Sequence, residues 1–167
     1  AGWIPINWIE RDIKSAQNNS AISSIIVLGH RPIQAPSYEP AGSGTTILDS
    51  SEFPFATRLA RSMRTHKKAK AYLCSHSHMW SATRLSKGRG VWQVIAGNGG
   101  AQVDSGWTPA SGTYFGYSIF DIYQNGKMQV RNYGRDLPPL PQKFFEDTPV
   151  APSAAVLKEK LTISKGS

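Results

Sequence analysis

Two short apolar runs each lead directly into histidine. Residues 25–28, Ile-Ile-Val-Leu, precede Gly29-His30-Arg31-Pro32, and residues 71–74, Ala-Tyr-Leu-Cys, precede Ser75-His76-Ser77-His78. Runs of this kind read as buried strands, and α/β proteins build their sites just outside the carboxyl ends of such strands. In an extended segment, residues two apart face the same way, so His76 and His78 are expected to aim at one small volume. With His30 they make three imidazoles able to converge on a metal. They are three of the four histidines in the chain, the other being His66.

The segments around these runs alternate in character. Ile6, Ile9, Ile13 and Ala16 recur at helical spacing, which predicts an amphipathic helix over residues 5–17 with Pro5 at its start. Residues 22–28 then read as a strand. Residues 34–51, rich in Pro, Gly, Ser and Thr, read as a long loop beside the first histidine. A second helix is predicted over 54–66, where Phe55, Leu59 and Met63 stack four apart. A strand over 69–74 delivers the double histidine. Four further strands are predicted over 80–85, 90–96, 114–123 and 127–133. Asn125-Gly126 marks a hairpin between the last two. Residues 97–112 read as a glycine-rich loop. Five of the eleven prolines fall between Pro138 and Pro152, so residues 135–167 are expected to be an extended tail, with a short helix over 154–161.

A chain of 167 residues is ordinary for one domain, and its five Trp, six Tyr and six Phe can supply a core. The net charge of +8 favours anionic partners without choosing among phosphates, nucleic acid and acidic lipid. The single Cys74 excludes an internal disulfide and is expected to pack rather than act as nucleophile or ligand. No stretch has the length of a membrane span, so no membrane partner is expected.

Taken in order, helix, strand, Gly-His-Arg-Pro, helix, strand, His-x-His, hairpin and Gly-Asn-Gly-Gly resemble the C-terminal half of the calcineurin-like metallophosphoesterases. The match is nearest the purple-acid-phosphatase-like branch, in which a Trp-bearing helix precedes the Gly-His-x-Pro strand. It rests on residues 8–13, 25–32, 73–80 and 94–101, and it runs in order from about residue 3 to residue 133. The resemblance implies an α/β (α+β) fold, part of a four-layer α-β-β-α sandwich of two mixed sheets. Residues 1–134 would form the C-terminal half of the domain. It also implies a dinuclear site in which His30 and His76 share one ion and His78 holds its neighbour. Fe, Mn and Zn all accept imidazole. The implied activity is hydrolysis of phosphate mono- or diesters by a hydroxide that two metals activate.

The departures from the family pattern matter as much. Its other ligands come from an N-terminal half with Asp-x-His, Gly-Asp and Gly-Asn-His, and none of these occurs here. The bridging carboxylate and the general-acid histidine are therefore absent, so no catalytic residue is assigned to this chain. Two dications held close together without that anionic charge would repel. The chain alone is accordingly expected to hold metal weakly or not at all and to be inactive. An N-terminal half, as a companion chain or as further sequence, is the expected partner. Ser75 stands where the family usually has Gly.

Arg31 is the candidate for substrate phosphate, by bidentate hydrogen bonds. The basic run Arg58, Arg61, Arg64, Lys67, Lys68 and Lys70 is read as a solvated helix face and turn, so nucleic acid is not an expected partner. Gly97-Asn98-Gly99-Gly100 is expected to pack tightly near the metal site rather than to cradle phosphate. Trp80 and Trp107 are read as packing residues. The alternatives to an enzyme are a non-catalytic structural or binding module that keeps the sheet without the chemistry, and a basic nucleic-acid-binding fragment. The chain begins at Ala1 without Met and carries an Asn18-Asn19-Ser20 sequon. With the family flavour, these point to a processed or excised product and an extracytoplasmic location.

Overall fold

The computed structural model describes residues 4–36, 55–85, 91–100, 112–135 and 155–164. Residues 37–51 of the expected loop over 34–51, residues 101–111 of the glycine-rich loop with Trp107, and the proline-rich 136–154 lie outside the described residues. The elements are α1 (Ile6–Asn18), β1 (Ile25–Leu28), α2 (Phe55–Thr65), β2 (Ala69–Cys74), β3 (Trp80–Arg84), β4 (Trp92–Ala96), β5 (Gly116–Ile122), β6 (Met128–Gly134) and β7 (Val156–Ile163).

Helix α1 begins on the Pro5 carbonyl, which accepts the amides of Trp8 and Ile9 at 2.9 and 3.0 Å. It buries Ile6 and Ile13. A turn closed by the Ile22 amide on the Asn19 carbonyl at 3.1 Å takes the first residues of the expected 22–28 strand, so β1 starts at Ile25. Helix α2 buries Leu59 and Met63 of the predicted stripe, with Ala56 buried beside them and Phe55 half-buried against the same core. Arg58 ties the helices together, bonding Glu10 at 2.5 Å and Asn7 at 2.7 Å.

The first sheet has the order β1-β2-β4-β3, with β1, β2 and β4 parallel and β3 antiparallel to β4. Side chains of β2 alternate between its two faces. Tyr72 and Cys74 join Ile13, Leu59, Met63 and Ile95 under the helices. Ala71 and Leu73 face the other way, toward Trp80, Val94, Tyr114, Met128, Val130 and Ile163. Burial on both sides explains why the strand reads as an unbroken apolar run. The molecule is thus α+β, with helices on one face of the first sheet and a second sheet on the other. Three layers of the expected four lie within the described residues.

The second sheet, expected to be mixed, is antiparallel in its described strands, ordered β5-β6-β7. Its first hairpin closes through the Gly126 amide on the Tyr123 carbonyl at 2.9 Å, with Gly126 at φ 79°. That is a turn followed by one left-handed residue, a position that glycine fills without strain. The short helix expected over 154–161 is a correction. Val156–Ile163 is strand β7, paired along β6 from Met128 to Gly134. Leu157 and Leu161, four apart, mimic a helical stripe, but Leu161 and Ile163, two apart, are the residues that enter the core. Pairing with β6 satisfies the backbone and overrides a weak local preference. The Trp80 indole N–H also donates to Glu159 Oε2 at 2.6 Å, pinning β7 to β3 of the other sheet. No described helix is long and apolar enough to cross a membrane.

Candidate metal centre

The parallel strands bring three chain segments to one rim: Gly29-His30 after β1, residues 75–79 after β2, and Gly97-Asn98 after β4. The parallel ladder continues past the strand ends. The Gly29 amide bonds the Leu73 carbonyl at 3.0 Å, and the Ser75 amide bonds the His30 carbonyl at 3.1 Å. His30 and Ser75 therefore sit side by side.

Two buried anchors fix the chain around His30. The Tyr72 hydroxyl donates to the Arg31 carbonyl at 2.6 Å. A Cβ on Gly29 would come within 2.0 Å of that hydroxyl, so glycine before the histidine leaves room for it. Gln93 on β4, fully buried, accepts the amides of Ile33 and Gln34 at 2.8 and 3.0 Å and donates to the Gln34 carbonyl at 2.7 Å. Nothing in the local sequence marks Gln93 as a clamp. Its role appears only when β4 lies beside β2.

The segment between β2 and β3 corrects the expectation of an extended His-x-His. Strand β3 lies beyond β4, so residues 75–79 must cross the end of β4 while reversing direction. They do so in two successive three-residue turns. The Ser77 amide bonds the Ser75 carbonyl at 2.7 Å around His76, and the Met79 amide bonds the Ser77 carbonyl at 2.8 Å around His78. His76 has φ 57°, the one non-glycine positive φ among the described residues. That conformation costs an L-residue about 1–2 kcal/mol. The crossing lies directly on Gly97, whose Cβ would stand 1.9 Å from the Ser77 carbonyl oxygen. The expected tight packing of the Gly97 loop near the histidines is what the structure shows.

His30 and His76 meet. His30 Nε2 lies 3.0 Å from His76 Nδ1, with the rings edge to face at 81°. His30 Nδ1 lies 3.2 Å from Ser75 Oγ. Two imidazole nitrogens each about 2.1 Å from one ion stand roughly 3.0–3.4 Å apart for bond angles between octahedral and tetrahedral. The observed pair fits as two ligands of one ion. His78 is half-buried on the second turn. Among the described residues no three His, Cys, Asp or Glu side chains gather as a metal-holding set. Arg31 is exposed beside His30.

Other candidates resolve into packing. Burial pushes the Cys74 thiol up to about 12, so it stays protonated at neutral pH and is a poor nucleophile. Trp80 is buried. His66 Nδ1 meets the Ser62 carbonyl at 2.6 Å at the end of α2. Of the basic run, Lys68 Nζ donates to the Asn19 carbonyl at 2.6 Å and Lys70 Nζ to the Lys67 carbonyl at 2.9 Å, so these charges are tied to the protein itself. Asn98 is buried, accepts the Gly116 amide on its carbonyl at 2.8 Å, and leaves Nδ2 without a partner among the described residues.

No family model and no curated protein matches this chain. Among solved structures, it is similar to a dimetal phosphatase from Danio rerio, with a TM-score of 0.58 and 11% identity. The similarity covers 99% of this chain and 39% of that one. At that identity the likeness establishes a shared architecture: the mixed α+β, two-sheet arrangement of a dimetal phosphatase. The chain spans about two fifths of the length of the structure it matches.

Proposed function

We propose that this chain is the C-terminal portion of a metal-dependent phosphoesterase, with His30 and His76 as two ligands of one ion and His78 directed to a second. The observation that carries the reading is the 3.0 Å approach of His30 Nε2 and His76 Nδ1 at the carboxyl ends of two parallel strands. A metal pair, when bound, supplies Lewis acidity toward a phosphoryl oxygen and activates the attacking water. The residues of this chain hold the rim in shape. Tyr72 and Gln93 fix the His30 segment, and Gly97 admits the crossing that carries His76. Arg31, exposed beside His30, is the candidate in this reading to meet a phosphate oxygen.

Three imidazoles carry no negative charge, so the bridging carboxylate and the remaining ligands come from an N-terminal portion. Coverage of 39% of the dimetal phosphatase leaves room for such a portion. The Trp8-bearing helix α1 ahead of the Gly-His-x-Pro strand supports the purple-acid-phosphatase-like branch. Metal analysis and turnover of an aryl phosphate test the reading. In the assembled native protein, Fe, Mn or Zn is expected at a stoichiometry that falls on His30→Ala and His76→Ala. The 167-residue chain alone should turn over no aryl phosphate above background. Robust turnover by that chain, or a metal-free assembled protein, overturns the proposal, and the second result favours a non-catalytic module.

A further inference from the structure

We infer that Ser75 is a positioning residue for His30: its Oγ accepts the Nδ1–H of His30 and so leaves Nε2 unprotonated, its lone pair turned toward His76. The inference rests on the metal reading above for its purpose, but its geometry stands independently. A neutral imidazole carries one N–H, so the nitrogen that donates determines which nitrogen is left to bind. His30 has one nitrogen 3.2 Å from Ser75 Oγ and the other 3.0 Å from His76 Nδ1. A ligating histidine characteristically donates its second ring N–H to a fixed acceptor, which sets both tautomer and ring angle. Ser75 is the side chain in that place.

The pairing is built by the backbone. The Ser75 amide bonds the His30 carbonyl at 3.1 Å, continuing the parallel ladder one step beyond the strands. That bond uses the backbone N–H, which Ser75→Ala and Ser75→Thr keep, so the hydroxyl can be removed without freeing the segment. The assignment also separates the two histidines. His30 already stands in the ligating tautomer. His76 donates from Nδ1 to His30 Nε2 and has to move that proton to its own Nε2, through solvent, before its Nδ1 can bind.

The test is a long-range 1H–15N correlation spectrum of the histidine rings at pH 8, in the full chain without metal, with His30 assigned through His30→Gln. The wild-type chain should show His30 as the Nδ1–H tautomer. Ser75→Ala should shift it toward Nε2–H, and Ser75→Thr should restore it. Zn2+ titration of the same variants in the assembled native protein, stripped of its metal, gives the second readout. Ser75→Ala is expected to weaken binding about tenfold, as loss of an outer hydrogen bond to a ligand does, and Ser75→Thr to recover it. A wild-type His30 in the Nε2–H form, or a Ser75→Ala chain with unchanged tautomer, overturns the inference. If Ser75 controls the tautomer but no variant or wild type binds Zn2+, the role of Ser75 stands and the metal reading falls.

Discussion

The rim of the first sheet and the body of the second are built to opposite standards. On the second sheet the polar side chains of Asn132 and Arg131 find partners across a strand. Asn132, fully buried, accepts the Tyr114 hydroxyl and donates to Ser118 Oγ at 2.9 Å. Arg131 meets Asp121 at 2.9 Å, and Tyr117 stacks on Tyr133 with ring centroids 5.2 Å apart. At the rim, His76 holds a left-handed backbone, and Ser77 Oγ and Asn98 Nδ2 are buried without partners among the described residues. The backbone strain lies at the candidate site, where the surrounding structure holds it, and the other two buried polar atoms without partners among the described residues, Thr83 Oγ1 and Trp92 Nε1, lie on β3 and β4. The second sheet contributes stability, and the rim uses some of it.

Substitutions at Gly97, Asn132 and His76, with Gly99→Ala as a control, can break or sharpen that contrast. The largest effect is expected at Gly97, where a new Cβ meets backbone 1.9 Å away and no flexible side chain can yield. Gly97→Ala should cost on the order of 3 kcal/mol in denaturant unfolding and also abolish metal binding by the assembled protein. Gly99→Ala, with nothing within 4 Å of its Cβ, should do neither. Next comes Asn132→Ala, which strands the Tyr114 hydroxyl. A loss of about 2 kcal/mol with unchanged metal affinity would mark the second sheet as scaffold. A fall in affinity would show that the two regions are coupled.

The smallest effect is the most diagnostic. Both His76→Ala and His76→Gly remove the imidazole, yet the glycine variant should be more stable by about 1 kcal/mol, reversing the usual order of the two residues. Equal thermal midpoints would show that the left-handed turn carries no strain.

Local patterning made much of the scaffold legible. The apolar run ending at Cys74 predicts β2 over the residues it occupies, because burial on both faces demands an unbroken run. The stripes of Ile6, Ile9 and Ile13 and of Phe55, Leu59 and Met63 place α1 and α2 within about a residue of their ends. Asn125-Gly126 marks its hairpin because the turn needs a residue free to adopt positive φ. Strand β7 was not legible. Its Leu157 and Leu161 suit either period, and only the exposed edge of β6 decides between them.

By itself, then, the sequence determined the elements and the placing of histidine at the ends of two strands, since both follow from residues close together in the chain. Tertiary structure decided that His30 and His76 face each other at 3.0 Å, that the segment joining β2 to β3 bends twice over Gly97, and that Ser75, Gln93 and Glu159 serve residues far from them in sequence. Those outcomes depend on strand order. A segment forced to cross β4 has to turn tightly, and no local pattern records which strand it must cross.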